Sequence, residues 1–452
     1  MKSPIFVILL TILVSTASGL EQNGRILSWQ LDLAEDANYD KAFQFGREAC
    51  MESVHLFTTW TSIEPVAGEY DRTAIEGFLD VINIYYPIWP MKIELQIAPV
   101  NTGVKEVPKG LEGLPFSHPD MIQSFRALID TVFAHITDVK FTALNIGNEG
   151  DINFGIDENA YRDFKVFLDS VVPYAKKKYR QLHNEELMVG TTLTHHSLTG
   201  DFTSNLCKIL NEGLDIVSTT YYPINPDFTM KSPSVVVADF DKLVEKYPDK
   251  SQPIYFVECG YSSSEVCNSS EEKQAEFWKN VFESWDKYFE NIKLITVFKS
   301  TDWSHEEVKT LAEYYGIDDI IFREYLRTLG VRTWPGSGSN KPAYEAIKCQ
   351  LESRNWCQVE CDIISVENNI YVEQPTLVLS PNPSRDQITI SALGKLKNEG
   401  VYFIYNAKGE LAETIILDQC PKTIDVRHLV KGVYYIMWNE GYQIYSESFI
   451  VE

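Results

Sequence analysis

After its N-terminal stretch the sequence has no long hydrophobic run. No later segment reaches the roughly 18 uninterrupted apolar residues that a membrane-spanning helix needs, so no membrane span is expected in the mature chain. Basic residues are scarce as well: 40 Lys and Arg stand against 64 Asp and Glu, for a net charge of −24. Binding to phosphate requires clustered cations, so the charge argues against a nucleic-acid or anionic-membrane partner. An acidic surface tolerates a neutral polysaccharide, and more simply it keeps an exported protein soluble. Metal motifs are missing too, because there is neither an H-E-x-x-H nor a C-x₂-C spacing. Gly336-Ser-Gly-Ser-Asn340 lacks the lysine and the preceding strand of a phosphate-binding loop. Neither a metal nor a cofactor is expected.

What is present begins with a secretory signal over residues 1–19. Lys2 supplies the charge, Ile5 to Val14 the apolar run, and Ser15 to Gly19 the small residues for cleavage. Eight cysteines fit an oxidising destination. Cys349, Cys357 and Cys361 cluster together, and Cys259 and Cys267 flank a loop, which makes local pairs the disulfide candidates. At 452 residues, 44% hydrophobic and 12% aromatic, the chain can fill one large domain and a small one.

Apolar strand-like runs alternate with amphipathic ones over residues 20–351. Strands are expected at Ile26–Leu33, Val54–Thr59, Lys92–Ala98, the first four to six residues of Phe141–Glu149, Leu187–Leu193, Asp215–Tyr222, Pro253–Val257 and Leu294–Phe298. Helices are expected at Ile75–Tyr85, Met121–Ile136, Asn159–Lys178, Gln274–Phe289 and Pro342–Leu351. Such alternation points to a parallel sheet closed as a (β/α)₈ TIM barrel. Residues 352–374 carry no helix signal and form a cysteine-containing linker. From 375 to 452 short strands recur between turn residues, which suggests a small all-β sandwich.

Two strands end in carboxylates, Gly147-Asn-Glu149 on the fourth and Val257-Glu-Cys-Gly-Tyr261 on the seventh. In a parallel barrel the C-terminal strand ends are where chemistry is assembled, and a carboxylate pair there fits glycoside hydrolysis. Glu258 would attack the anomeric carbon, while Glu149 would protonate the leaving oxygen and then activate water. Asn148 is placed for the sugar 2-hydroxyl. Tyr222, or Tyr221 on the opposite face, would hold Glu258 ionised. Trp303, Trp29 and Asp32 lie at strand ends as candidates for contact with sugar. Trp60 and Trp89 fit core or lid packing better than a subsite, and His195-His196 follow the fifth strand.

Together with Tyr221-Tyr-Pro223, these motifs make residues 25 to 350 similar to the clan-A retaining glycoside hydrolases, the nearest look being to endo-β-1,4-galactanases. The eighth strand departs from that pattern: Phe298-Lys-Ser-Thr-Asp-Trp303 stands where a Trp-Glu pair belongs. The resemblance implies cleavage of a β-linked polysaccharide or oligosaccharide. The departure keeps a second reading open, a barrel that binds surface glycan without turnover. The tail resembles the type IX secretion sorting domain of Bacteroidetes. Leu379-Ser-Pro-Asn-Pro383, Tyr405-Asn-Ala-Lys-Gly409, Ile424 to Leu429 with Lys431 to Tyr435, and Ser448 to Val451 match it in order. That resemblance implies the type IX machinery as partner and a place at the cell surface or in the medium.

Overall fold

The computed structural model describes residues 23–34, 38–334, 338–359, 361, 376–393, 400–408, 411–417, 421–440 and 443–452. The signal-sequence residues and much of the expected linker lie outside these. The chain divides into two units, residues 1–364 and 365–452.

Among the described residues the first unit holds eight parallel strands: β1 (Ile26–Trp29), β2 (Ser53–Thr59), β3 (Lys92–Asn101), β4 (Phe141–Asn148), β5 (Val189–Thr194), β6 (Val217–Tyr221), β7 (Ile254–Cys259) and β8 (Ile292–Val297). Each pairs with the next, and β1 pairs with β8, so the sheet closes on itself. A two-residue antiparallel strand, Val104–Lys105, is appended to β3. The apolar runs follow from this closure, since strands covered by helices outside and packed inside have two buried faces. Between the expected and observed strands only the ends differ. The first strand stops at Trp29, short of Leu33.

Helices that the hydrophobic pattern did not mark lie mainly between β5 and β7 and after β8. They include Thr203–Asn211, Val235–Lys246, His305–Tyr315 and Ile320–Arg327. The last two are set by their ends. Ser304 and Glu307 form a reciprocal capping box, Gly316 takes φ +68° at the C-terminus, and Asp319 accepts from the amides of Ile321 and Phe322.

The cysteine pairing keeps one local pair from the expected cluster, Cys349–Cys361, and corrects the rest. Cys50 bonds to Cys357 and Cys349 to Cys361, whereas Cys259 and Cys267 are buried free thiols. Trp356 packs against Trp285 and Arg25, and Cys361 is bonded to Cys349, so both residues attach to the barrel. The Cys50–Cys357 bridge spans 307 residues, and such a loop leaves the unfolded chain much entropy to lose. Cys357→Ser is therefore expected to cost about 2–5 kcal/mol of stability. Equal denaturant midpoints for variant and wild type would contradict this.

The second unit has a three-stranded antiparallel sheet, β9 (Thr376–Ser380), β10 (Gln387–Leu393) and β13 (Lys422–Asp425). A four-stranded one comprises β11 (Gly400–Asn406), β12 (Leu411–Leu417), β14 (Gly432–Glu440) and β15 (Gln443–Val451). Ile388, Ile390, Ile404, Ile436, Phe449 and Val451 share its core. The Ser-Pro-Asn-Pro turn ties down the last strand through Asn382, which donates to Ser448 O and accepts from Ile450 N.

Candidate active site

The site stands at the C-terminal ends of β4, β6 and β7. Gly147 takes φ +96°, and a Cβ there would lie 3.3 Å from both Phe164 and Thr191. Glu149 follows in the left-handed region at φ 47° and caps the short helix Gly150–Phe154. A non-glycine residue in that region stores about 1–3 kcal/mol of strain, so the surroundings must hold it. They do so through the carboxylate: Thr220 Oγ1 donates to Glu149 Oε1 at 2.7 Å and Thr102 Oγ1 to Oε2 at 2.9 Å. Thr220 is also the register partner of Glu258 on the neighbouring strand. One threonine thus lies between the two carboxylates.

Glu258 accepts from Tyr222 Oη at 2.6 Å. Tyr221 faces the other way, is fully buried, and donates to Asp239 at 2.8 Å. The choice between the two tyrosines therefore falls on Tyr222.

The two carboxyls have different electrostatic surroundings. Burial first, and then the charge of Glu258, push Glu149 up to about 7, although Thr220 and Thr102 pull the other way. Burial also raises Glu258, but His55 and Tyr222 oppose it. His55 is itself held by Glu94 in a fully buried pair, and burial's resistance to charging is outweighed, so its pKa is raised. Glu94 accepts from Asn145 at 2.5 Å, and Asn145 in turn accepts from Ser218. This polar chain crosses the barrel interior from β2 to β6. It gives Glu258 a cation to face that Glu149 lacks, so Glu149 is the better proton carrier and Glu258 the better anion.

Asn148 is held by protein on each end of its amide, with one acceptor and one donor position of the amide left over. Its Oδ1 accepts from Gln96 at 2.8 Å and its Nδ2 donates to Asn101 at 2.9 Å. Asp32 pairs with Lys299 at 3.1 Å, and Lys299 Nζ lies 3.4 Å from the centre of the Trp303 ring. Burial, opposed by Asp32, drops Lys299 to about 8. The eighth strand thus replaces the expected pair with a buried cation. Trp29 has no exposed surface and packs edge-on against Tyr344, so it offers no face to a sugar. Trp60 is likewise buried, donating to Glu64 at 2.7 Å. Trp89 lies under Arg47, His195 contacts the Asp239 carbonyl, and His196 is exposed.

Several residues at the site went unmarked in the sequence: His55, Glu94, Gln96, Thr102 and Thr220. A signal existed for three of them, since a histidine, a glutamate and a glutamine interrupt otherwise apolar strands. Thr220 offered none. The insert after β8 went unmarked too. Its Tyr325 packs on Tyr222 and Phe228, and Tyr314 bonds to Asn101 and Glu106.

If Glu149 must enter the reaction protonated, kcat/KM should fall as pH rises through about 7. Thr220→Val removes a hydrogen bond that favours the charged form, so that basic limb should move to higher pH. A limb that stays put or moves down would contradict the assignment.

A family model described as a secretion system C-terminal sorting domain matches residues 379–452. No curated protein matches the chain in sequence. Among solved structures, a GH5_18 protein from Bifidobacterium longum subsp. longum ATCC 55813 in complex with Manβ1-4GlcNAc is similar at TM-score 0.56 and 14% identity. That match covers 74% of this chain and 80% of that one. A GH5_18 from Bifidobacterium longum subsp. infantis gives TM-score 0.54 and 12% identity over 75% and 80%. An exo-β-1,4-mannosidase from Opitutaceae bacterium strain TAV5 gives 0.50 and 14% over 73% and 60%. The chain therefore shares the barrel fold of these solved structures, and residues 379–452 form a secretion sorting domain.

Proposed function

We propose that the protein is a secreted retaining glycoside hydrolase that cleaves a β-linked polysaccharide or oligosaccharide by double displacement. Glu258 attacks the anomeric carbon, and Glu149 gives its proton to the leaving oxygen. Glu149 then takes a proton from the water that releases the sugar. Thr220, bonded to Glu149 and in register with Glu258, is the observation that carries this reading. Tyr222, bonded to Glu258, and Asn148, beside Glu149 in the chain, are the nearest of the substrate-contacting residues, and Asp32 and Trp303 complete the set after the first and eighth strands. Release of reducing sugar from a panel of plant and microbial polysaccharides, wild type against Glu258→Ala, tests the reading. Binding to a panel member without any release would favour the alternative of a glycan-binding barrel.

The sorting domain is the handle for the type IX machinery, which delivers the protein to the cell surface or the medium. Deleting residues 375–452 should leave the protein in the periplasm of its host, since an N-terminal signal carries it only across the inner membrane. Immunoblots of cell fractions showing normal surface amounts of the truncated form would contradict this.

A further inference from the structure

The eighth strand lacks the expected Trp-Glu pair, yet the segment that follows it still reaches the fourth strand's end. Tyr314, next to last in the helix His305–Tyr315, donates its hydroxyl proton to Glu106 Oε1 at 2.6 Å and accepts from Asn101 Nδ2 at 3.1 Å. Asn101 is the last residue of β3 and the register partner of Asn148 on β4. Its Oδ1 accepts from Asn148 Nδ2 at 2.9 Å. Thr61 donates to the second oxygen of Glu106. A relay of hydrogen bonds therefore runs from Glu106 through Tyr314 and Asn101 to Asn148.

The relay has one direction. An ionised carboxylate only accepts, so the Tyr314 hydroxyl must donate to it. Burial first, and then the bond to Glu106, raise the Tyr314 pKa, which keeps that proton in place. With its proton committed, the tyrosine oxygen accepts, and it turns the NH₂ end of the Asn101 amide toward itself. The carbonyl end of Asn101 then faces Asn148 and selects its NH₂ end. The other side of Asn148 is fixed in the same way. Gln96 Nε2 donates to the Gly147 carbonyl at 3.2 Å, which only accepts, and to Asn148 Oδ1 at 2.8 Å. Two acceptor-only groups, the Glu106 carboxylate and the Gly147 carbonyl, thus agree on how the Asn148 amide is turned. One hydrogen on its Nδ2 and one lone pair on its Oδ1 stay available for a ligand.

We propose that Tyr314 is a positioning residue: through Asn101 it fixes the amide of Asn148, so the insert after the eighth strand sets the hydrogen bond to the 2-hydroxyl of the sugar being transferred. The proposal rests on the glycosidase reading above and adds a residue which that reading does not contain. Hydrogen bonds to the 2-hydroxyl strengthen in the transition state, so a fixed partner there lowers the barrier more than it tightens binding. Without the Tyr314 hydroxyl, Asn101 Nδ2 loses its acceptor and the amide is free to turn over. Asn148 then loses its set direction.

The test compares full-length wild type with Tyr314→Phe, which keeps the ring that packs edge-on at 4.9 Å against Tyr315. The probes are 4-nitrophenyl β-glycosides of mannose, galactose and glucose, each as the single sugar and as the β-1,4-linked trisaccharide. Each is supplied again with the sugar next to the nitrophenol lacking its 2-hydroxyl. On the 2-hydroxy probes kcat should fall about tenfold with KM nearly unchanged, the scale of one hydrogen bond made chiefly in the transition state. On the 2-deoxy probes wild type and variant should be equal. In an Asn148→Ala background the same substitution should cost nothing more, since residues that act as one unit are not additive. Equal losses on 2-hydroxy and 2-deoxy probes, no loss on either, or an undiminished loss in the Asn148→Ala background overturns the relay and leaves the two-carboxylate mechanism standing. Turnover of no probe by wild type overturns the glycosidase reading and the relay with it.

Discussion

Glu258→Ala is expected to lower turnover by roughly 10⁵-fold or more, because in the proposed mechanism this carboxylate forms the covalent intermediate. The environment of this residue explains why so much depends on one side chain. It is a buried carboxylate accepting from Tyr222, with the His55–Glu94 pair in the barrel interior as its nearest cationic support. On the proposed mechanism, removing the carboxylate empties the position that would face the anomeric carbon. A small anion can occupy that space, so azide should restore part of the rate and give a glycosyl azide of inverted configuration. Variant and wild type with equal rates on a 2,4-dinitrophenyl glycoside would remove Glu258 from the mechanism.

Glu149→Ala is expected to behave differently according to the leaving group. On substrates whose leaving group needs a proton, the rate should fall by about 10²–10⁴-fold, the usual worth of general acid catalysis. On 2,4-dinitrophenyl glycosides the first step needs no acid, so the intermediate should form and then accumulate for want of a base. Azide, which needs no base to attack, should speed its breakdown and give a glycosyl azide of retained configuration. Exchange of the two azide configurations between the variants would mean the roles are reversed.

The barrel was legible because burial on two faces forces apolar strands, and such runs show in the sequence wherever they occur. The carboxylate pair was legible for a related reason: a charged residue closing a buried strand needs a purpose. Cross-barrel contacts were not. Thr220 is an ordinary strand residue until its hydroxyl meets Glu149, and Tyr314 an ordinary helix residue until it meets Asn101 and Glu106. Trp29 misled because its place at a strand end suggested exposure, whereas the closed sheet leaves its ring wholly inside. Cys50–Cys357 was missed for want of long-range information, since the two lie 307 residues apart, whereas the local pair Cys349–Cys361 falls inside the cluster the sequence marked. The helices after β8 are only 11 and 8 residues long, and their partners across the barrel are far away in sequence, so the contacts they make were invisible.

The central claim is that Glu258 becomes covalently glycosylated while Glu149 handles the proton. Incubation with 2,4-dinitrophenyl 2-deoxy-2-fluoro-β-glycosides slows both steps through the electron-withdrawing fluorine, but the good leaving group lets the first proceed. Mass spectrometry of the digested protein should then find one fluorosugar on the peptide containing Glu258. A label on another residue, or an unlabelled protein that releases an inverted sugar from the parent glycoside, would contradict the account.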